Sequence, residues 1–184
     1  MSERDQKYSR SFRKRIIIFF IFMGLFSASY QIGAMSEVDE ESAQEILAEL
    51  QEALEDIDAI GIFLHNTAIS LAMFIPGVGV GWGFFSGYST GYAFAALASL
   101  IPEIAEIPPL ALLWVSPFGF MELVAYSLGT SRSYILIFMI IKKINLRPAI
   151  IPTAIEIGIL LGLLVAGAVL EDYVIANEIQ LPGF

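Results

Sequence analysis

Five polar side chains lie inside otherwise apolar sequence and set the chemistry open to this chain: Glu122, Glu156, Arg132, His65 and Asn66. An ionisable group at membrane depth is costly enough to mark a functional site by default. Glu122 stands out because it follows Ser116-Pro117-Phe118-Gly119, where Pro117 lacks a backbone donor and Gly119 permits unusual dihedrals, so a helix break is expected at 116–119. Such a break survives in lipid only under a cover of protein or water. Two roles fit Glu122: a structural acid, protonated or bonded to the open N–H groups of the broken helix, or a carrier of an ion or proton.

With ~1.5 Å of rise per residue, Glu122 falls in the outer half of its helix and Glu156 in the inner half of the last one. They are therefore expected at different depths, with Ser, Thr or Arg132 as partners of Glu156. His65 reads as an interfacial or hydrogen-bonded side chain. A metal ion would need it to meet Glu122 and a further oxygen ligand, so neither metal nor other cofactor is expected. Catalysis is not expected either. Glu122 has no second acid beside it, the chain holds one histidine, and Ser116 has no base in view. The absence of cysteine removes disulfides, thiolate metal sites and thiol nucleophiles.

The elements that must position these groups follow from composition. Of 184 residues, 57% are hydrophobic and 16% charged, against roughly 45–50% and about 25% in soluble domains. Residues 36–58 hold ten acids and no base, which accounts for the net charge of −9 and leaves the remainder at +1. That segregated charge gives no reason to expect nucleic acid. A single membrane domain over 1–184 is predicted: an all-α polytopic helix bundle with the lipid bilayer as its first partner.

Residues 1–15 form a basic, cytoplasmic N-terminus abutting a first span at Ile16–Met35. Residues 36–60 should make an extracytoplasmic amphipathic acidic helix, with Ile46, Leu47, Leu50, Leu54 and Ile57 on one face and Glu41, Glu45, Glu49 and Glu52 on the other. Ser36 and Ser42 offer N-cap chemistry. The 41 residues Ile60–Leu100 carry no formal charge and divide at Pro76–Gly83 into spans near 60–78 and 82–100. Gly87 and Gly91 form a small-xxx-small pair suited to helix packing.

After the proline-rich outer loop 101–109, residues 110–141 admit two geometries. In one, 110–115 is a re-entrant half-helix and 118–141 crosses. In the other, 110–129 crosses and 134–141 lies on the inner interface; Ser131-Arg132-Ser133 after Gly129 resembles a helix exit and favours this second form. Pro148–Leu170 is the last span, and 171–184 an extracytoplasmic tail. About five spans result, placing a multi-pass protein in the cell membrane with its N-terminus inside and C-terminus outside.

Two blocks carry a resemblance. Ile62-Phe63-Leu64-His65-Asn66-Thr67-Ala68 resembles an I-F-x-N-N block, with His65 at the first Asn. Ser116-Pro117-Phe118-Gly119-Phe120-Met121-Glu122-Leu123-Val124-Ala125 resembles P-H-G-x-x-E-L-P-A, with Phe118 for His and Val124 for Pro. Both are similar to blocks of the integral membrane family named after stage II sporulation protein M. The resemblance implies that Asn66, Pro117, Gly119 and Glu122 are core residues, and that the protein is a membrane partner of envelope enzymes rather than an enzyme. The expected function is a scaffold or partner subunit that assembles with itself, as a homo-oligomer, or with other membrane proteins. The alternative is an ion or small-solute channel or transporter built on the broken helix, Glu122 and hydroxyls such as Ser127, Thr130 and Ser131.

Overall fold

A computed structural model describes residues 12–54 and 58–176. These residues form eight helices and no strand: α1 (Phe12–Ala34), α2 (Glu40–Leu54), α3 (Ala59–Ala72), α4 (Val78–Leu100), α5 (Pro102–Ala105), α6 (Pro109–Trp114), α7 (Pro117–Ile141) and α8 (Arg147–Ala176). Three stretches are long and apolar enough to cross a membrane, namely Phe12–Ala34, Pro117–Ile141 and Arg147–Val174, so the chain is built as a helical membrane protein. Helix α4, at 23 residues, matches α1 in length and unlike all three carries no charged residue, but its Gly, Ser, Thr and Tyr content dilutes its hydropathy.

Aromatic and polar contacts fix how the helices run. Phe22 meets both Phe84 of α4 and Tyr134 of α7, whereas Phe26 meets Tyr126. Thus α7 descends as α1 climbs. Gly33 of α1 abuts Tyr88 and Tyr92 of α4, and Gly91 of α4 abuts Tyr30 and Ala34 of α1, so these two helices climb together. Asn66 bonds to Glu122, and Ser133 Oγ donates to the Ile75 carbonyl at 2.6 Å, so α3 and the turn after it run beside α7 in the same direction.

The α1–α4 seam is closed at backbone level. A methyl at Gly33 would lie 2.8 Å from the Tyr92 amide nitrogen, and one at Gly91 would lie 2.8 Å from that of Ala34. Gly83 does the same toward α7, where a Cβ would sit 2.9 Å from the Thr130 methyl. Gly79, Gly83, Gly87 and Gly91 therefore form one buried stripe at four-residue spacing. Helices without side chains at a crossing approach closely, and the dispersion gained along the seam favours association in lipid.

That stripe explains two departures from the sequence expectation. The turn between α3 and α4 occupies residues 73–77, so Gly79, Gly81 and Gly83 belong to helix instead of to a turn extending through Gly83. Of the glycines in this segment only Gly77, with φ of 81°, takes a backbone form that favours glycine. Likewise α7 runs unbroken past Gly129, so the helix exit favoured there does not occur. Gly129 is a packing residue, its missing methyl making room for Met73 Cβ, which a Cβ would meet at 2.8 Å. The hydroxyls of Ser127 and Thr130 fold back onto carbonyls four residues earlier, at 2.6 and 2.8 Å, and the backbone stays helical around them.

The acidic segment is shorter than 36–60: α2 covers Glu40–Leu54, and residues 55–57 lie outside the described residues. Its N-cap is Asp39 rather than Ser36 or Ser42. The Asp39 carboxylate accepts from the Ser42 amide at 2.9 Å and hydroxyl at 2.8 Å. A carboxylate serves better than a hydroxyl here because it takes both donors at once and opposes the positive helix end. Those bonds to Ser42, the amide first, hold the Asp39 carboxyl below its ordinary range. Of the basic N-terminal segment, residues 12–15 are the first turn of α1 and residues 1–11 lie outside the described residues; at the other end α8 continues through Glu171 to Ala176, and 177–184 also lie outside them.

Candidate functional site

The helix break falls at Val115 and Ser116. Helix α6 closes with the Val115 amide donating to the Ala111 carbonyl at 2.8 Å, and α7 opens on Pro117, where the missing N–H has no partner to lose. Fully buried Ser116 is the N-cap: its extended backbone reverses the chain, and its Oγ accepts from the Gly119 amide at 3.0 Å. Its hydroxyl is therefore committed to capping. Gly119 is required because α6 folds back onto α7, and a methyl there would collide with the Leu112 carbonyl. One side of the break is covered by Leu113, Ser116 and Gly119, while Trp114 and Val115 are exposed on the other.

One turn further on, the Glu122 carboxyl turns into the bundle. Asn66 of α3 donates to Glu122 Oε1, and the Tyr126 hydroxyl donates to Asn66 Oδ1 at 3.1 Å. Asn66 is thus held at both ends of its amide, which fixes how it presents its donors to the acid. Glu171 of α8 lies within coulombic range of both Glu122 and Tyr126. The Glu122 carboxyl thus meets one amide donor, which a phenol orients.

Ten residues along α7, roughly 15 Å lower, lies a second cluster. Arg132 grips Glu156 from one side, with Nε on Oε2 at 2.7 Å and a second N–H on Oε1. Arg15 of α1 approaches the same carboxylate from the other side, Nε to Oε1 at 2.6 Å, and also donates to Ser131 Oγ at 2.8 Å and the Leu128 carbonyl at 3.3 Å. Arg132 and Glu156 are buried and Arg15 half-buried, so this is a largely buried Arg–Glu–Arg triad tying together the first and the last two long helices. A doubly bonded carboxylate between two planar guanidiniums is geometrically specific.

The structure brings Asn66 to Glu122 and Arg132 to Glu156, and keeps the two acids in separate clusters. His65 is exposed, on a different face of α3 from Asn66, and does not join Glu122. Among the described residues no three His, Asp or Glu side chains gather as metal ligands. Gly87 faces Phe26 and Gly91 faces Tyr30, both on α1. Sequence reasoning overlooked Arg15, Tyr126 and Glu171. Arg15 was legible as the base that touches the first apolar run; Tyr126 stands four residues after Glu122, one helical turn along the same face. The hydroxyls of Tyr30 and Thr67 are buried without a hydrogen-bond partner among the described residues. No family model, no curated protein and no solved structure matches the chain.

Proposed function

We propose that the protein is an integral membrane scaffold or partner subunit of the stage II sporulation protein M type, assembling with itself or with other membrane or envelope proteins. The observation that carries this reading is the mounting of α2. Its fully buried Ala43 and half-buried Ile46 and Leu50 form the face toward the bundle, and α4 is its main contact. Glu40, Glu41, Glu45, Glu49 and Glu52 are exposed on the other side. An acidic face fixed to a rigid bundle suits the docking of a basic surface, which charge complementarity would steer and orient.

In this reading the basic helix ends, with Arg13, Lys14, Lys142, Lys143 and Arg147, face the cytoplasm, and α2 faces outward. The chain passes five times, through α1, α3 with the turn that follows it, α4, the α6–α7 pair and α8. Helix α3 has 14 residues, about 21 Å, and needs residues 73–77 to complete its passage. Helix α6 is then a re-entrant segment in the outer half of the bilayer.

A second reading, an ion or small-solute conduit, is favoured by the Asn66–Glu122–Tyr126 cluster beside the break, since discontinuous helices place polar backbone at membrane depth in transporters. Purification under mild extraction, paired with flux through liposomes, separates the two. A protein that co-purifies with the wild type, and is lost when Glu41, Glu45, Glu49 and Glu52 become Gln, supports the scaffold. Specific flux that Glu122→Ala abolishes, with no captured protein, refutes the scaffold and establishes the conduit. Glu122→Gln keeps an acceptor for Asn66 and folds; an activity unchanged by that substitution at every pH removes any role for the charge.

A further inference from the structure

A cavity of about 670 Å³ opens between the start of α1, the second half of α7 and the start of α8, within the ~300–1,000 Å³ of small-molecule sites. Arg15, Arg132 and Glu156 line it together with exposed Lys14 and apolar side chains including Ile18 and Ile155. The two guanidiniums are permanently charged and meet one carboxylate, so the triad carries a net +1. A buried excess charge is costly unless an opposite charge reaches it. Among the described residues Arg15 spends three of its five N–H groups and Arg132 two, leaving donors beside open space. The space therefore asks for an anion beside the guanidiniums and hydrocarbon along the apolar side chains.

We propose that this cavity binds one anionic phospholipid, its phosphodiester on Arg15 and Lys14 and an acyl chain along Ile18 and Ile155. A free phosphate would satisfy the charge but leave the apolar walls unused. Basic pockets between membrane helices at the cytoplasmic face are suited to acidic headgroups. The proposal needs only a membrane location and stands whether the protein is scaffold or conduit.

The test uses the full chain in non-ionic detergent, stripped of lipid and titrated with phosphatidylglycerol, phosphatidylcholine or inorganic phosphate, with occupancy read by native mass spectrometry. One phosphatidylglycerol should be retained about tenfold more tightly than phosphatidylcholine. Lys14→Gln, a change at an exposed side chain, should weaken phosphatidylglycerol about fivefold, the effect of one basic residue at a lipid surface. Ile155→Trp fills the wall without altering charge and should lower occupancy while the melting curve stays cooperative. Equal retention of the two lipids overturns the proposal, as do inorganic phosphate binding as tightly as phosphatidylglycerol and a folded Ile155→Trp protein with wild-type occupancy.

Discussion

Replacing Gly91 by alanine puts one methyl group where α1 and α4 touch through their backbones. That carbon would press on the Tyr30 carbonyl oxygen and stand 2.8 Å from the Ala34 amide nitrogen, against an ordinary contact that begins near 3.4 Å. Neither obstacle is a side chain able to swing aside, so the helices must part by more than half an ångström at that level. Gly33 closes the same seam from the opposite side and prevents a slide along it. Overpacking of this kind costs about 1–3 kcal/mol, and the upper end applies because separation loosens dispersion contacts along the whole interface. Gly81 lies on the exposed face of the same helix with nothing within 4 Å of its would-be methyl. Gly81→Ala should instead gain up to about 1 kcal/mol of helix propensity. Unfolding in mixed micelles with sodium dodecyl sulfate, followed by far-ultraviolet circular dichroism, should move the two midpoints in opposite directions. Midpoints that shift together would refute the backbone-contact account of the seam.

Other perturbations probe the polar groups. Glu156→Gln leaves buried Arg132 and half-buried Arg15 without their shared anion and should cost about 3 kcal/mol; the same detergent titration measures it, and a wild-type midpoint would show that water, not Glu156, balances the arginines. Tyr30→Phe removes a buried hydroxyl that has no partner among the described residues and should leave stability unchanged or raise it by about 1–3 kcal/mol, checked by thermal unfolding; a clear loss would mean that the hydroxyl is bonded. The α2 cap should be pH-dependent in one direction only. Because Ser42 holds the Asp39 carboxyl below its ordinary value, the cap's contribution is fully present above the unfolded pKa, about 3.9, and is lost as pH falls through the lower folded value. Amide exchange in α2, compared with Asp39→Asn, should show this acid-side loss in the wild type alone; equal profiles would remove the carboxylate from the cap.

The break before Glu122 was legible because proline acts locally, whatever surrounds it; Gly119, expected to loosen the backbone there, is helical and serves close packing against Leu112. The apolar runs at α1 and α8 were legible for the same reason, as was the amphipathic stripe of α2. The turn near Pro76 was overextended because glycine gives one signal for two purposes: it frees the backbone at Gly77 and lets neighbours approach at Gly79 and Gly83. Gly129 misled in the same way, since a C-cap glycine and a packing glycine differ only in what lies opposite. Arg132 could be named as a partner of Glu156 from depth alone. Arg15 could not, because its reach past Ile16 and Ile18 into the bundle depends on how α1 leans on α7 and α8, a tertiary fact.

The Arg–Glu–Arg triad also has a consequence in time. Arg15 and Glu156 are 141 positions apart, so at ~5–20 residues per second the ribosome needs roughly 7–28 s after making the base to make its acid. During that interval the first helix must wait with its guanidinium lodged among headgroups, since the hydrocarbon offers it no counter-charge. Bonds to Ser131 and the Leu128 carbonyl of α7 open to it earlier, but its charge is matched only when the final helix arrives, which makes the ion pair a clasp fastened late in assembly.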